Sequence, residues 1–406
     1  MTQSSHSSEH ATPGENYVLM RKLCFVLSAR VSRMKYIRAR TLLPAGALGL
    51  LLVFSLSKDY FDHKKICLNA DVKEDKSQPT TDNSSVYSWP RCERNMTAAK
   101  IRGFRSLPSS LKDFLYYRHC RHFPMILDLP DKCGGADGSA AVFLLLVIKS
   151  PPVSYARREV LRKTWAKERL HNNVWIRRIF ISGTMGTGSE KERQNKLLEL
   201  EQREYNDIIQ WDFNEGFYNL TLKQILFLEW MARNCPNARF HLNGDDDVFA
   251  NTDNMVEYLQ GLEDNDGSKH LFTGNLIKNA GPVRSPWSKY FIPVQVQRSA
   301  SYPPYCGGGG ILLSGYTALV IYYMSQSITL LPIDDVYMGM CLAKAGLSPT
   351  SHVGVKTMGL SSRDLNDPCV CKNVLLVHRF LPAQMYNMWH RVHDPSLKCS
   401  SYKKRL

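Results

Sequence analysis

Only one stretch of this 406-residue chain, Thr41 to Ser57, is apolar and uncharged over anything near the roughly 20 residues that cross a bilayer. A protein that crosses a membrane many times is thereby excluded. Acidic residues are scarce in the first 40 positions, where Arg21, Lys22, Arg30, Arg33, Lys35, Arg38 and Arg40 face only Glu9 and Glu15. That tail supplies a third of the net charge of +15, so the surplus is a topology signal before it is a nucleic-acid footprint. No Gly-Lys-Ser/Thr follows the glycine run Gly307 to Gly310, which excludes a Walker loop. Cys369-x-Cys371 lacks a second cysteine pair at zinc-finger spacing, which argues against a structural zinc site. The acidic run Asp245 to Asp247 lacks the ligand ladder and closing Glu of an EF-hand. Internal repeats and long low-complexity tracts are also missing, so a solenoid is excluded.

What is present begins with the apolar run. It starts behind a long polar tail, has no small-x-small cleavage site at its end, and is followed by some sixty polar residues too hydrophilic to bury it. It reads as a signal anchor, with residues 1–40 a basic cytosolic tail, 41–57 the transmembrane helix and everything beyond lumenal. Its shortness suits a thinner early-secretory membrane, hence the Golgi membrane. The sequons at Asn83, Asn95 and Asn219 all lie beyond the span, as do ten of the eleven cysteines. An even count in an oxidising compartment favours disulfides without giving their pairing, and leaves Cys24 a free thiol.

Residues 58–135 are polar and broken and read as a lumenal stem, although Leu111 to Pro130 carries enough aromatics to pack on the next domain. From 136 to 406 the pattern is that of a folded lumenal domain. Ala140 to Ser150 is a continuous apolar run, as expected of a strand buried on both faces. A helix over Tyr155 to Glu168, strands over Trp175 to Ser182 and Asp207 to Phe213, helices over Glu190 to Tyr205 and Leu220 to Asn234, and a strand over Ala238 to Gly244 follow. This alternation predicts an α/β sandwich on a mostly parallel sheet, with ligands beyond the carboxyl ends of the strands.

The residues with chemistry stand at those ends. Asp245, Asp246 and Asp247 directly follow the Ala238–Gly244 strand, where three adjacent carboxylates repel unless a cation is near. In an extended segment Asp245 and Asp247 project to one side and can approach one hard divalent ion, which in turn can hold a diphosphate; helix capping is the plain alternative. Asp334 and Asp335 open a helix over Val336 to Ala345, where one member of the pair can serve as general base, with capping again the alternative. Tyr302-Pro303-Pro304-Tyr305-Cys306 leads into Gly307 to Gly310, where the missing side chains admit a ligand or another backbone closely. His378 ends an apolar strand, is eligible as an imidazole ligand for a borderline metal, and is otherwise structural.

Taken together, Arg157-Arg158 through Arg162, Thr164 and Trp165, the Asp212-Phe213 and Tyr218 to Lys223 segments, the acidic triplet, the glycine run, Asp334-Asp335-Val336 and Leu376-Val377-His378 resemble the β-1,3-glycosyltransferase family of type II Golgi proteins. The long glycine run with Pro332-Ile333-Asp334-Asp335-Val336 resembles its N-acetylglucosaminyltransferase branch, and within that the members that extend core 1 O-glycans or poly-N-acetyllactosamine. The resemblance implies a nucleotide-sugar-binding GT-A fold, an inverting transfer from UDP-N-acetylglucosamine, and a galactose-terminated glycan acceptor. It also implies Mn2+ held by Asp245, Asp247 and His378, donor contacts from Asp245, Asp246, Asp247, Arg158, Arg162, Lys223, Gly308 and Gly309, and Asp335 as base beside Asp334. UDP-galactose as donor, a catalytically silent lectin or chaperone on this scaffold, and a homodimer are left open. The anchor predicts that, in intact vesicles, everything beyond residue 57 is protected from added protease.

Overall fold

The structure is a computed structural model that describes residues 89–399 apart from Gly359. The expected tail 1–40 and span 41–57, together with Cys24, Cys67 and Asn83, lie outside the described residues. Among those described, no helix is long and apolar enough to cross a membrane.

The strands are β1 (Met125–Leu127), β2 (Val142–Lys149), β3 (Arg169–His171), β4 (Val174–Thr184), β5 (Ile208–Asn214) and β6 (Phe240–Asp245). Beyond them come β7 (Val248–Ala250), β8 (Phe272–Ile277), β9 (Tyr305–Ser314), β10 (Thr350–Ser351), β11 (Val355–Lys356) and β12 (Leu376–His378). Eight principal helices accompany them: α1 (Ser109–Tyr117), α2 (Tyr155–Lys163), α3 (Gly188–Tyr205), α4 (Leu220–Asn234), α5 (Thr252–Gln260), α6 (Gly315–Ser325), α7 (Asp334–Lys344) and α8 (Pro382–Val392).

The large sheet runs β1-β5-β4-β2-β6-β9-β8-β10, with β3 paired on β4, and β11-β12-β7 form a second, smaller sheet. The middle of the large sheet is parallel, from β5 through β4 and β2 to β6. The apolar run of β2 is buried along its whole length because it lies at that centre, with helices on both faces. Leu145 and Val147 face a layer that includes α4, α6 and α7, whereas Leu144, Leu146 and Ile148 face α2, α5 and α8. Strand β1 pairs antiparallel with β5 and β3 with β4, and strand β9 enters antiparallel between β6 and β8. Four glycines weaken its intrinsic preference for a strand, but pairing on both edges supplies the order that side chains do not.

Three expectations change in detail. The helix expected over Tyr155 to Glu168 stops at Lys163, and Arg169 to His171, just beyond the expected end, forms a hairpin with β4. Asn172 and Asn173 turn it with φ of 47° and 62°, the left-handed pair that suits a tight hairpin. Helix α4 is buried without a break from Thr221 to Met231, so it is a core helix and not an amphipathic one. Residues 89–135, expected in the stem, supply Leu111, Phe114, Leu115, Phe123 and Leu129 to the same core as α4. Cys92–Cys120 and Cys133–Cys235 tie this segment down, and Cys369–Cys399 closes the C-terminal region. Cys306, Cys341 and Cys371 remain buried thiols, so the even cysteine count does not mean complete pairing.

Beneath the sheet's α2 face lies a buried ionic network. Arg162 grips Asp207 through two hydrogen bonds of 2.9 and 2.8 Å and reaches Glu201 at 2.7 Å; Arg178 also pairs with Asp207, at 2.6 Å. Removing one partner strands a buried charge, so Asp207→Ala is expected to lower the unfolding free energy by about 3–5 kcal/mol in a denaturant titration.

Candidate active site

Lys149 ends β2 and lies opposite Asp245 in the parallel register of β2 and β6. Both residues point to the α7 side by the two-residue period of a strand. The Lys149 ammonium, 7% exposed, stands 3.0 Å from Asp245 Oδ1 and 2.7 Å from Asp334 Oδ2. Burial works against its charge, but Asp245, Asp334 and Asp335 more than offset that, and its pKa is raised. Asp334 and Asp335 form the first turn of α7, where the helix dipole favours carboxylates. Asp335 Oδ2 accepts a hydrogen bond of 3.2 Å from Gly308 N. Burial first, then the charges of Asp334 and Asp245, push the Asp335 carboxyl well above the usual range, against the pull of Lys149 and Gly308.

Asp246 points the other way. Its Oδ2 accepts from Ser150 Oγ at 2.8 Å, and Arg157 Nε is 3.7 Å from Oδ1. Burial raises its pKa despite these contacts. Asp247 is placed by the small sheet, in which His378 of β12 pairs with Val248 of β7 and Phe380 N donates to Asp247 O at 2.7 Å. His378 Nε2 is thus 3.2 Å from Asp247 Oδ1, yet that buried oxygen accepts no hydrogen bond. Burial tends to raise the Asp247 carboxyl, but His378 and Arg157 outweigh it and its pKa is lowered.

Ligand atoms of Asp245, Asp247 and His378 lie within 4.8 Å of one another. Two carboxylates and an imidazole, with a buried Asp247 oxygen approached by His378 alone, fit a divalent cation of hard to borderline character. Different glycines of the run lie against His378 and Asp335, while Asp245 meets the Asp334–Asp335 pair through Lys149. A Cβ on Gly309 would stand 2.9 Å from His378 Nε2, one on Gly307 would stand 3.4 Å from Asp335 Oδ2, and one on Gly308 would overlap Thr357. Gly308 and Gly309 also hold φ of 94° and 87°, where a side chain is strained. Their closest neighbours are therefore the protein's own Thr357 and His378.

The other expected donor contacts face elsewhere. Arg158, 1% exposed, makes two hydrogen bonds to Glu201, at 2.8 and 2.7 Å, and others to Ser150 Oγ and the carbonyls of Pro151 and Pro152. Its guanidinium holds the serine that holds Asp246. Arg162 belongs to the Asp207 network, and buried Lys223 pairs with Glu215 at 2.6 Å. All three pair with carboxylates of this chain, those of Arg158 and Arg162 about forty residues downstream and that of Lys223 nearby. Arg157 is the arginine of the group that faces the acidic triplet. Of the sequons, Asn95 caps a short helix by accepting from Thr97 N, and Asn219 Nδ2 donates to Asn214 O at 2.8 Å. Lys149, Ser150 and Thr357 escaped the sequence reading. For the first two the signal was a lysine and a serine closing an otherwise apolar strand, at the edge where such sheets bind ligands.

Two carboxylate clusters joined through Lys149 beside one glycine strand, one with a histidine and one at a helix start, suit a group-transfer enzyme. The family model described as Galactosyltransferase matches residues 156–353. Human "N-acetyllactosaminide beta-1,3-N-acetylglucosaminyltransferase 3" is 45% identical over 91% of this chain and 99% of its own. Human "Acetylgalactosaminyl-O-glycosyl-glycoprotein beta-1,3-N-acetylglucosaminyltransferase" is 46% identical over 78% and 82%. Mouse "UDP-GlcNAc:betaGal beta-1,3-N-acetylglucosaminyltransferase 7" is 42% identical over 76% and 77%. The chain belongs to this family of β-1,3-glycosyltransferases.

Gly309→Ala is expected to lower the melting temperature and displace the His378 ring, read as a shifted imidazole resonance, because neither the backbone angle nor the space tolerates a methyl group.

Proposed function

We propose that this chain is an inverting glycosyltransferase of GT-A type that transfers N-acetylglucosamine from UDP-N-acetylglucosamine, in β1-3 linkage, to terminal galactose on glycoprotein or glycolipid glycans. The names of the relatives support the donor and the acceptor class. The observation that carries the chemistry is that Lys149 links Asp245 and Asp334, so both acidic clusters belong to one cleft.

In this reading Asp335 takes the proton from the galactose 3-hydroxyl as that oxygen attacks the anomeric carbon. Its raised pKa suits a base, since a more basic carboxylate draws the proton more strongly. Lys149 occupies Asp334, which leaves Asp335 as the member of the pair free to accept it. Asp245, Asp247 and His378 would hold Mn2+, which supplies neutralisation of the diphosphate leaving group. Arg157 adds positive charge on the same side, while Arg158, through Ser150, keeps Asp246 in place. The Golgi location and the type II anchor complete the proposal, and they rest on the order of basic tail, apolar run and sequons.

With manganese and galactose-terminated acceptors, a UDP-release assay on the lumenal domain tests this directly. Asp247→Ala should lose metal-dependent UDP binding. Asp335→Asn should keep UDP binding and lose about 10²–10⁴-fold in turnover. Retained turnover in Asp335→Asn removes that residue as base, and transfer from UDP-galactose in place of UDP-N-acetylglucosamine overturns the donor. Because the base works deprotonated and its pKa is raised, kcat/KM should climb with pH to an apparent pKa above the ordinary carboxylate range. Lys149→Met removes the cation that lowers it and should move that limb to higher pH.

A further inference from the structure

The C-terminal end of α8 meets the N-terminal end of α5 through an imidazole and a carboxylate. Asp253 stands in the first turn of α5 and His393 caps α8, so each sits where its own helix dipole favours its charge. His393 Nε2 lies 3.8 Å from Asp253 Oδ2. The other ring nitrogen, Nδ1, is 2.8 Å from the carbonyl oxygen of Trp389, which only accepts, so Nδ1 carries a proton and donates it. A neutral ring would then turn the bare lone pair of Nε2 toward a carboxylate. Only the doubly protonated imidazolium satisfies both neighbours. The ring also lies against the indole of Trp389, with centroids 3.9 Å apart, a contact that favours a cation.

The second oxygen of Asp253 is held from β3. Arg169 Nη2 donates to Asp253 Oδ1 and, at 2.8 Å, to Thr252 Oγ1, and His171 Nδ1 is 3.4 Å from that same carboxylate oxygen. Glu257 lies one turn further along α5 on the Asp253 face. On the end of α8 itself, Arg391 bonds Asn366 O and Asp394 bonds Ser396. Burial tends to raise the Asp253 carboxyl, but His393, Arg169 and His171 outweigh it and hold it low. Asp253 first, with the Trp389 carbonyl, raises the His393 imidazole against burial and Arg169. We propose that this junction is a proton-operated clamp, in which protonated His393 binds Asp253 and fixes the end of α8 against α5 and the β3 hairpin, and loss of that proton frees the end. Trp389 reaches Phe249 of β7 at 6.3 Å between centroids, and Phe249 reaches Phe380 at 5.6 Å, so the clamped end backs the small sheet. The clamp requires nothing of the transfer reaction.

Because folding raises the His393 pKa, the clamp is fully made below the unfolded value of about 6.5 and is lost as pH rises through the folded value. The test uses the full chain in detergent micelles and follows amide protection in α8, corrected for intrinsic exchange rates, from about pH 5.5 to about pH 9. Protection in the last turn of α8 should fall about two- to fivefold across that range, the loss of a partly exposed ion pair at a helix end, while the core helix α4 stays level. His393→Gln and Asp253→Asn should each abolish the fall, and His171→Gln should leave it in place. A level profile in the unaltered chain, an equal fall in α4, a fall that survives in His393→Gln, or one that vanishes in His171→Gln overturns the clamp. Should a variant not fold, the carbon-13-labelled His393 ring of the unaltered chain, assigned by its contact with the Trp389 indole, still decides. A titration midpoint above that of free histidine supports the clamp, and one at or below it overturns it.

Discussion

The buried ammonium of Lys149 is the contact on which the cleft depends. Bringing Asp245, Asp334 and Asp335 together without it would leave like charges facing one another at low solvation, and such groups either take up protons or move apart. An isolated lysine at the same depth would be equally unfavourable, since several kcal/mol is lost for each unpaired buried ion. Each side therefore requires the other, and the requirement joins β2, β6 and α7 through one atom. The end of a strand, the end of its neighbour and the start of a helix are brought to a common point by electrostatics where hydrophobic packing gives out.

From that point the alternation of strand side chains sorts the acidic triplet. Asp245 faces α7, and Asp246 faces α2 and is held by Ser150, itself held by Arg158. Asp247 lies past the end of β6 and is captured by the small sheet that carries His378. One tripeptide thus serves three surroundings, and its carboxyl groups shift in different directions: Asp246 upward by burial, Asp247 downward by the histidine and arginine nearby.

Much of this was legible in the order of residues, and the reasons differ from case to case. The strand at β2 and the helices α3 and α4 declare themselves by continuous or periodic pattern over enough residues to outweigh local exceptions. Asp245 and Asp247 do come close together, but through the turn after β6 and the small sheet that carries His378, not through the two-residue period of a strand. Arg158 and Arg162 misled because a guanidinium carries no mark of its partner, and Glu201 and Asp207 lie some forty positions downstream. Gly308 and Gly309 announced a close approach but not its object, which is a threonine and a histidine supplied by remote segments. The helix over 155–168 ends at Lys163 because Thr164 leaves helical geometry, with φ −121° and ψ −130°, and a break at one residue is easily lost beneath a helical pattern. The aromatic residues of 111–130 hinted at packing that only Cys133–Cys235 and the filled core make explicit.

The glycine strand has one more consequence. Gly307, Gly308, Gly309 and Gly310 are each pressed by Ile277, Thr357, His378 or Leu376, so the floor of the cleft has almost no mutational freedom. Variation on this scaffold has more room elsewhere, in the excursion between β8 and β9 and in the turn before α4, where side chains such as the exposed Trp287 can change without disturbing the glycine backbone.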